Sequence, residues 1–306
     1  MTSIGLSRAL RSPLARLLII GLAALAAAPR AHAQGSLVSW GNDATGQVSN
    51  TPAGNYTAVA AGTAHSVAIR TNGTLKSWGD NSFGQVSLTP GGTFIAVKAG
   101  NQFTVALRSN GTLAAWGRDL SSDVSGVPAG TYIAVAAGGF HGVAIRPDGT
   151  LRSWGYDLQG QVSQTPAGTF SAVAAGWYHS MAIRTDGTVV AWGDDSYGQV
   201  SGPNADGGTF SAIEGGHYHS VAIRRDGTIR AWGVDNYGQV SGPNADGGTF
   251  IAVGAGYYHS VAIRTDGTLA LWGRGGWGEV IVTPAGTYTV LAAGDSYGVG
   301  IRTSKH

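Results

Sequence analysis

The sequence of 306 residues contains no cysteine and few charged residues. The absence of cysteine excludes a disulfide scaffold and a metal site built from thiolates. Only 12% of the residues are charged, which excludes a coiled coil, because the helices of a coiled coil are rich in charge. Glutamate occurs only at Glu214 and Glu279, so the sequence offers no pair of catalytic glutamates.

Long hydrophobic runs are confined to the N-terminus. Residues 17–28 form an apolar run that follows three arginines, and Ala31-His32-Ala33 has the small-x-small pattern of a cleavage site. This arrangement predicts a secretory signal peptide over residues 1–33, with a run too short to span a membrane. We therefore expect a secreted or periplasmic protein whose mature chain begins at Gln34.

Removal of this leader changes the charge of the chain. The leader holds four of the 19 basic residues and none of the 17 acidic ones, so the mature chain has a net charge of −2. A slightly acidic chain lacks the basic footprint that nucleic acid requires. We predict no nucleic-acid partner, and no later segment is apolar and long enough to span a membrane.

Glycine is abundant, with 50 residues, about 16% and roughly twice the usual share. It belongs to a repeat with a period of 38 to 40 residues. The dipeptide Trp-Gly begins at Trp40, Trp78, Trp116, Trp154, Trp192, Trp232 and Trp272. A second signature, of the form G-x-x-H-S-V-A-I-R, begins at Gly62, Gly100, Gly138, Gly176, Gly216, Gly256 and Gly294. A β-prone repeat of this period predicts a propeller or a solenoid.

Each repeat has the pattern of a propeller blade. In one unit, residues 170–175, 180–184 and 188–192 are β-prone, and Asp186-Gly187 predicts a two-residue type I′ hairpin. A Gln-Val-Ser segment predicts a short fourth strand. Residues 36–41 form a third strand without predecessors, which we expect to complete the last blade. The sequence thus predicts an all-β, closed seven-bladed β-propeller over residues 34–306, with four-stranded blades of 38–40 residues.

The units resemble repeats of the regulator-of-chromosome-condensation type. The resemblance rests on segments such as 192–199 (WGDDSYGQ) and 216–223 (GHYHSVAI), and it covers nearly the whole mature chain. Among exported bacterial proteins, the units most resemble the propeller-type β-lactamase inhibitory proteins, the inhibitory protein II family. That resemblance implies a seven-bladed propeller that blocks class A β-lactamases by covering the entrance of their active site.

In each unit, the G-x-x-H loop before the second strand and the Trp-Gly loop after the third strand vary in sequence. We expect both loops on one face, because the second and third strands are antiparallel and a tight turn joins them at the other end. The aromatic residues of these loops concentrate between residues 177 and 277, where the scaffold does not require a ring. Tyr and Trp dominate hot spots at protein interfaces, so we predict a partner-binding face. The alternative is that each ring packs over its own loop or the neighbouring blade. The predicted contacts are Phe83, Phe140, Trp177, Tyr178, Asp194, Tyr197, Tyr218, Tyr237, Tyr257, Tyr258 and Trp277.

Other recurring polar residues favour structural roles. An aspartate three positions after the Trp is interpreted as closing its loop, whereas Asp80 and Asp194 lie one position earlier and are interpreted as contacts. A histidine recurs at one position, where Phe103 and Tyr297 replace it, which favours half-buried packing over metal binding. The recurring residues are Asp43, Asp119, Asp157, Asp195 and Asp235, and His65, His141, His179, His219 and His259.

The sequence therefore predicts an exported, monomeric and non-enzymatic protein. Residues 294–298 match G-x-S-x-G, but a β-strand is predicted after them where a nucleophile elbow requires a helix. We expect no catalytic residues, cofactor or metal. The predicted function is binding of a protein, with class A β-lactamases or related penicillin-binding proteins as the targets that the resemblance implies. A carbohydrate-binding propeller is the alternative.

Overall fold

The computed structural model of the chain describes residues 35–303. These residues form 21 β-strands and two one-turn helices, so the predicted all-β class is confirmed. The predicted signal peptide, residues 1–33, lies outside the described residues.

The strands follow one another in groups of similar length. In chain order they are β1 (Gly35–Gly41), β2 (Tyr56–Ala61), β3 (His65–Arg70), β4 (Leu75–Gly79), β5 (Phe94–Ala99), β6 (Phe103–Arg108), β7 (Leu113–Gly117), β8 (Ala134–Ala137), β9 (His141–Ile145), β10 (Leu151–Gly155), β11 (Phe170–Ala175), β12 (His179–Arg184), β13 (Val189–Gly193), β14 (Phe210–Gly215), β15 (His219–Arg224), β16 (Ile229–Gly233), β17 (Phe250–Ala255), β18 (His259–Arg264), β19 (Leu269–Gly273), β20 (Tyr288–Ala293) and β21 (Tyr297–Thr303). The helices are α1 (Ser201–Ala205) and α2 (Ser241–Ala245).

Three consecutive strands form one antiparallel unit with the second strand in the middle. In the unit β11–β12–β13, His179 lies opposite Gly193 and Ile183 lies opposite Val189. The same arrangement recurs from β2–β4 to β17–β19. The repeated signatures of the sequence therefore correspond to repeated three-stranded units.

The hairpin turn differs from the predicted type I′ turn. The Gly187 N–H donates to the carbonyl oxygen of Arg184 at 2.9 Å, and Gly187 has a φ of +96°, whereas Asp186 has no positive φ. This is a type I turn followed by a left-handed glycine, a three-residue loop. Asp186 Oδ1 accepts hydrogen bonds from the Thr188 N–H and hydroxyl at 2.8 and 2.7 Å, which fixes the loop. The position of the turn was predicted correctly, but its type was wrong.

The predicted fourth strand is also wrong, because the Gln-Val-Ser segments form turns. In the second Trp-Gly loop, Asn81 Oδ1 accepts hydrogen bonds from the N–H groups of Val86 and Ser87 at 2.9 and 2.8 Å. The Leu88 N–H donates to the carbonyl oxygen of Gly84 at 3.0 Å. Backbone donors that are satisfied within the segment are not available to a neighbouring strand.

Helices α1 and α2 lie in the two units that carry the Asn-Ala-Asp-Gly insertion. There an asparagine amide pairs with the outer strand as a peptide group would. Asn204 accepts from the Ala191 N–H at 2.8 Å and donates to the Ala191 carbonyl oxygen at 2.9 Å. Asn244 makes the same pair of bonds with Ala231. These side chains protect the outer edge of their sheets, where an unpaired strand would otherwise be exposed.

The units pack face to face in chain order. One core contains Val143 and Ile145 of β9, Phe170 and Val173 of β11, and Trp192 of β13. Because neighbouring units cover both faces of each sheet, the second strands read as continuous apolar runs. The Trp indoles add a bond to the preceding unit, as in Trp116 Nε1, which donates to the carbonyl oxygen of Gln85 at 2.8 Å.

Buried hydrogen bonds also link neighbouring units. The Nε2 atom of a histidine meets a hydroxyl of the next unit at 2.7 to 3.0 Å. The pairs are His65–Thr104, His141–Ser180, His179–Ser220 and His219–Ser260. These histidines are fully buried and hydrogen bonded, not half-buried as predicted, because each lies between two sheets.

Two units lack this bond for a common reason. The hydroxyl position of the next unit is occupied by Gly142 in one case and by Gly298 in the other. Phe103, which faces the first glycine, needs no partner. His259, which faces the second, is buried with neither ring nitrogen hydrogen bonded.

The first strand joins the last unit, as the sequence predicted. All seven residues of β1 pair antiparallel with β21, from Gly35 opposite Thr303 to Gly41 opposite Tyr297. In addition, Gly35 pairs with Tyr56 of β2. The Tyr297 hydroxyl donates to the carbonyl oxygen of His65 at 2.6 Å and lies 2.8 Å from Ser66 Oγ. The last unit is therefore connected to β1 by strand pairing and to β3 through Tyr297.

Trp40 is the main apolar anchor of β1. It is only 4% exposed, and its indole N–H donates to the carbonyl oxygen of Glu279 at 3.2 Å. We predict that Trp40→Ala lowers the free energy of unfolding by about 3–5 kcal/mol, the usual cost of removing a core Trp. Urea unfolding measures the change. Trp277→Ala is the control, since that side chain is 57% exposed. Equal stability of both variants would contradict the docking of β1.

The buried histidines predict an acid-sensitive fold. Burial lowers the pKa of His65, His179 and His259 to about 4 and that of His141 and His219 to about 3. In the unfolded chain a histidine titrates near pH 6.5. The unfolded state therefore binds more protons below about pH 6.5, and the free energy of unfolding decreases from there down to the folded pKa values. Urea unfolding at several pH values measures this slope.

His259→Phe provides a matched variant for this slope. We expect His259→Phe to reduce the slope of the free energy of unfolding by about 1.4 kcal/mol per pH unit, because one proton fewer is taken up on unfolding. The stability at neutral pH should not decrease, because the His259 side chain has no hydrogen bond to lose. His219→Phe reduces the slope similarly but costs about 1 kcal/mol at neutral pH, because its bond to Ser260 is lost. An unchanged slope in His259→Phe would contradict a neutral buried imidazole.

Candidate protein-binding face

The two variable loops of each unit lie at the same end of the sheets. The loop after the third strand bonds to the loop before the second, as in Asp80 N–H to the carbonyl oxygen of Ala64 (2.8 Å) and Asp194 N–H to that of Tyr178 (2.9 Å). We call this end the loop face and the opposite end, which carries the hairpin turns, the turn face. The predicted separation of loops and turns is therefore present.

An aromatic cluster covers part of the loop face. Phe140 contacts Trp177 edge-on with ring centroids 5.3 Å apart, and it stacks on Tyr178 at 5.9 Å. Tyr156 joins this group through Tyr178, with centroids 5.8 Å apart. Phe83 is connected through the guanidinium of Arg118, which lies 5.5 Å from its ring centroid and 5.8 Å from that of Phe140.

The cluster continues into the following units. Tyr257 contacts Tyr258 at 4.0 Å between centroids, and Tyr258 contacts Tyr237 at 5.1 Å. Tyr218 contacts both Tyr257 at 6.1 Å and Tyr197 at 5.6 Å. Of the predicted aromatic contacts, Phe83 and Trp277 make no ring-to-ring contact with the cluster among the described residues, and Phe83 is joined to it only through Arg118. The side chains of Tyr197, Tyr237, Trp277 and Phe83 are 57%, 50%, 57% and 44% exposed.

His217 connects the two halves of the cluster. Its ring lies 3.5 Å from that of Trp177 and 3.9 Å from that of Tyr257, between centroids, and its Nε2 is 2.8 Å from Asp295 Oδ1. Burial lowers the pKa of His217, and Asp295 partly opposes this effect. His217 was not among the predicted contacts. The available signal was its position directly after the first glycine of the G-x-x-H loop, which Trp177 and Tyr257 occupy in their own units.

Residues at the same position of other loops line a narrow cavity between the units. This cavity, of about 60 Å³, is lined mainly by an Ala-Gly pair from each of six units and by Gly215-Gly216 from the unit that contains β14. A Cβ atom on Gly62 would lie 2.4 Å from the carbonyl oxygen of Gly100, so the close approach of neighbouring units requires glycine there. An ion pair joins Lys98 of β5 to Glu214 of β14, two first strands whose units are not neighbours in the chain.

Two exposed leucines extend the apolar surface. Leu120 and Leu158 are 73% and 79% exposed in the loops after β7 and β10. Sequence reasoning missed them and Tyr156, because in the loop after each Trp it looked for aromatic contacts only at the fifth position. Exposed leucines beside an aromatic cluster are typical of a surface that a partner covers.

The loop aspartates have structural roles. Asp43 Oδ1 accepts hydrogen bonds from the N–H groups of Ser49 and Val48, and the bond from Ser49 is the main cause of its lowered pKa. Asp194, predicted as a contact, accepts from Ser196 Oγ at 2.5 Å and from Gln199 Nε2 at 2.9 Å. Asp80 binds Ser82 and Gln85 in the same way. Asp194 therefore orders its own loop, and whether it also contacts a partner stays a prediction.

Residues 35–303 contain no group of three or more His, Asp or Glu side chains placed to hold a metal ion. None of their helices is long and apolar enough to cross a membrane. The face offers aromatic rings, exposed leucines and ordered loop carboxylates, which are groups that bind by contact.

Comparison with known protein families identifies the repeat type of five segments. Five segments match the regulator of chromosome condensation (RCC1) repeat, at residues 56–85, 94–121, 132–161, 170–199 and 210–239. The sequence matches no curated protein.

Solved structures share the fold at low sequence identity. Yeast RCC1 (Prp20), in a complex with Kap60, is 18% identical with a TM-score of 0.74 over 89% of this chain and 90% of that one. Human WBSCR16 is 15% identical, with a TM-score of 0.73 over 89% and 100%. The ectodomain of the Arabidopsis thaliana receptor kinase ACR4 is 24% identical, with a TM-score of 0.66 over 81% and 90%. Five segments of the chain are thus RCC1-type repeats, and the fold is similar to that of the RCC1 propellers.

Proposed function

We propose that the chain is an exported, non-enzymatic binding protein whose loop face receives a protein partner. In this proposal seven three-stranded units close into a propeller, with β1 completing the last blade. The pairing of β1 with β21 and the bonds of Tyr297 to the His65–Ser66 strand support closure. Closure also leaves no unit with an uncovered sheet face.

The aromatic cluster is the observation that carries the proposal. It joins loops of several consecutive units through rings that differ from unit to unit, while the buried strands keep their residue types. Rings such as Tyr197 and Tyr237 remain half exposed, so they offer a partner the amphipathic contact area that is common at hot spots.

The packing within the cluster lowers the entropy cost of binding a partner. His217 is held between Trp177 and Tyr257 and by Asp295, so these side chains lose little conformational freedom when a partner binds. The concentration of rings in one sector favours a single large partner over the equivalent sugar pockets of a carbohydrate-binding propeller. In yeast, a propeller of similar fold is bound to the protein Kap60.

The proposed targets are class A β-lactamases or related penicillin-binding proteins, and the proposed mechanism is steric. The rings would bury at the rim of the enzyme's active site and exclude its substrate. Purified enzymes of both classes, assayed by hydrolysis of a chromogenic β-lactam or by acylation, should be inhibited in proportion to the chain added. If none of them binds at micromolar concentration, this target assignment is wrong, while binding of another protein at the loop face stays open to the next test.

Alanine substitution tests the face itself. We predict that Trp177→Ala, Tyr218→Ala and Tyr237→Ala weaken binding, with at least one costing about 2 kcal/mol or more, as hot-spot aromatics do. Affinity is measured by surface plasmon resonance against any partner recovered with the purified chain. Arg152→Ala on the turn face is the control and should change affinity by less than about 0.5 kcal/mol. A loss confined to the control would place the partner on the turn face.

A further inference from the structure

Basic residues collect on the turn face. An arginine stands at the end of every second strand or next to it, at this end of the unit, and three third strands carry a further cation at their second residue. The strand-end arginines are Arg70, Arg108, Arg146, Arg184, Arg224, Arg264 and Arg302, and the second residues are Lys76, Arg152 and Arg230.

Acidic residues neutralise only one sector of this face. In the units from β11 to β19, the hairpins contain Asp186, Asp226 and Asp266, and the insertions add Asp206 and Asp246. Arg224 pairs with Asp206 and Arg264 with Asp246, both at 2.8 Å, and Arg230 lies 3.7 Å from Asp206. With Arg184 and Arg225, this sector holds five cations and five anions.

The remaining units form a sector that we call the basic sector. It contains Arg70, Lys76, Arg108, Arg146, Arg152 and Arg302. Two of its hairpins carry the neutral residues Asn72 and Asn110, so Asp148 is its only acidic residue among those described. None of the six cations takes part in an ion pair within residues 35–303.

The cations of the basic sector are spread over a broad, shallow surface. They occupy equivalent positions at the same end of consecutive units, and Lys76, Arg152 and Arg302 are exposed. Ile95, which is 54% exposed, follows Phe94, the residue opposite Arg108. Cations distributed over four units do not converge on a single anion. They fit an extended surface of many negative groups, with an apolar side chain available at the interface.

We propose that the basic sector docks the protein on an anionic phospholipid surface, with the loop face directed away from the lipid. Cations near such a surface contribute roughly additively, about a fivefold gain in partitioning for each charge. The attraction decays within about 8 Å at physiological salt, so the acidic loop face at the opposite end opposes it little. This inference is independent of the partner proposed for the loop face.

Vesicle sedimentation tests the proposal. The purified chain, with its processed N-terminus verified by mass spectrometry, is mixed with phosphatidylcholine vesicles that contain one third phosphatidylglycerol or none. We expect binding to the anionic vesicles only, with a loss of binding as salt is raised. Absence of binding to anionic vesicles at low salt, or equal binding to neutral ones, would overturn the proposal.

Matched variants test which sector is responsible. Lys76, Arg152 and Arg230 occupy the same repeat position, where Ala114 and Ala270 stand in other units, so a neutral residue there is compatible with the fold. We expect Lys76→Gln and Arg152→Gln to reduce partitioning about fivefold each, and Arg230→Gln in the neutral sector to leave it unchanged. An equal loss in all three variants would overturn the assignment to the basic sector. Tighter binding to a DNA duplex than to anionic vesicles, with the same dependence on the variants, would overturn the choice of lipid.

Discussion

Each unit of this protein is a three-stranded sheet that is apolar on both faces, and it can be stable only between two neighbours. This constraint explains the continuous apolar second strands, the glycines where neighbouring units approach closely, and the indole and imidazole hydrogen bonds that link successive units. It also explains the use of β1 as the third strand of the last group, because β20 and β21 alone would leave a sheet incomplete. The loops at the two ends of the sheets are exempt from this constraint and are free to vary.

Much of the architecture was readable from the sequence because the constraint repeats. The spacing of the Trp-Gly dipeptides gave the period, and the unpaired pattern of residues 36–41 gave the partner of the last strands. The turn type was missed because Asp-Gly is compatible with both a type I′ turn and a type I turn with a left-handed glycine. The fourth strand was missed because side chains such as Asn81 satisfy backbone donors that a sequence pattern assigns to a ladder.

The candidate site was predictable where variation between units met aromatic residues, and less so elsewhere. The cluster from Phe140 to Tyr258 follows from one loop topology applied several times. The place of His217 at its centre depends on a contact with Asp295, two units further along the chain, which no local pattern reveals. Asp194 was interpreted as a contact because it does not recur with the loop aspartates, yet its carboxylate makes bonds within its own loop.

The glycine opposite His259 has a consequence for the motions of the molecule. At most junctions a buried hydroxyl bonds the imidazole of the preceding unit, but Gly298 leaves that of His259 without a partner. This junction adjoins the unit whose third strand, β1, comes from the other end of the described sequence. Separation of β18 from β21 breaks no imidazole–hydroxyl bond, whereas separation of a histidine–hydroxyl junction does. Local opening, and with it amide hydrogen exchange, is therefore expected more readily at this junction than at a histidine–hydroxyl junction, while the sheets themselves stay folded.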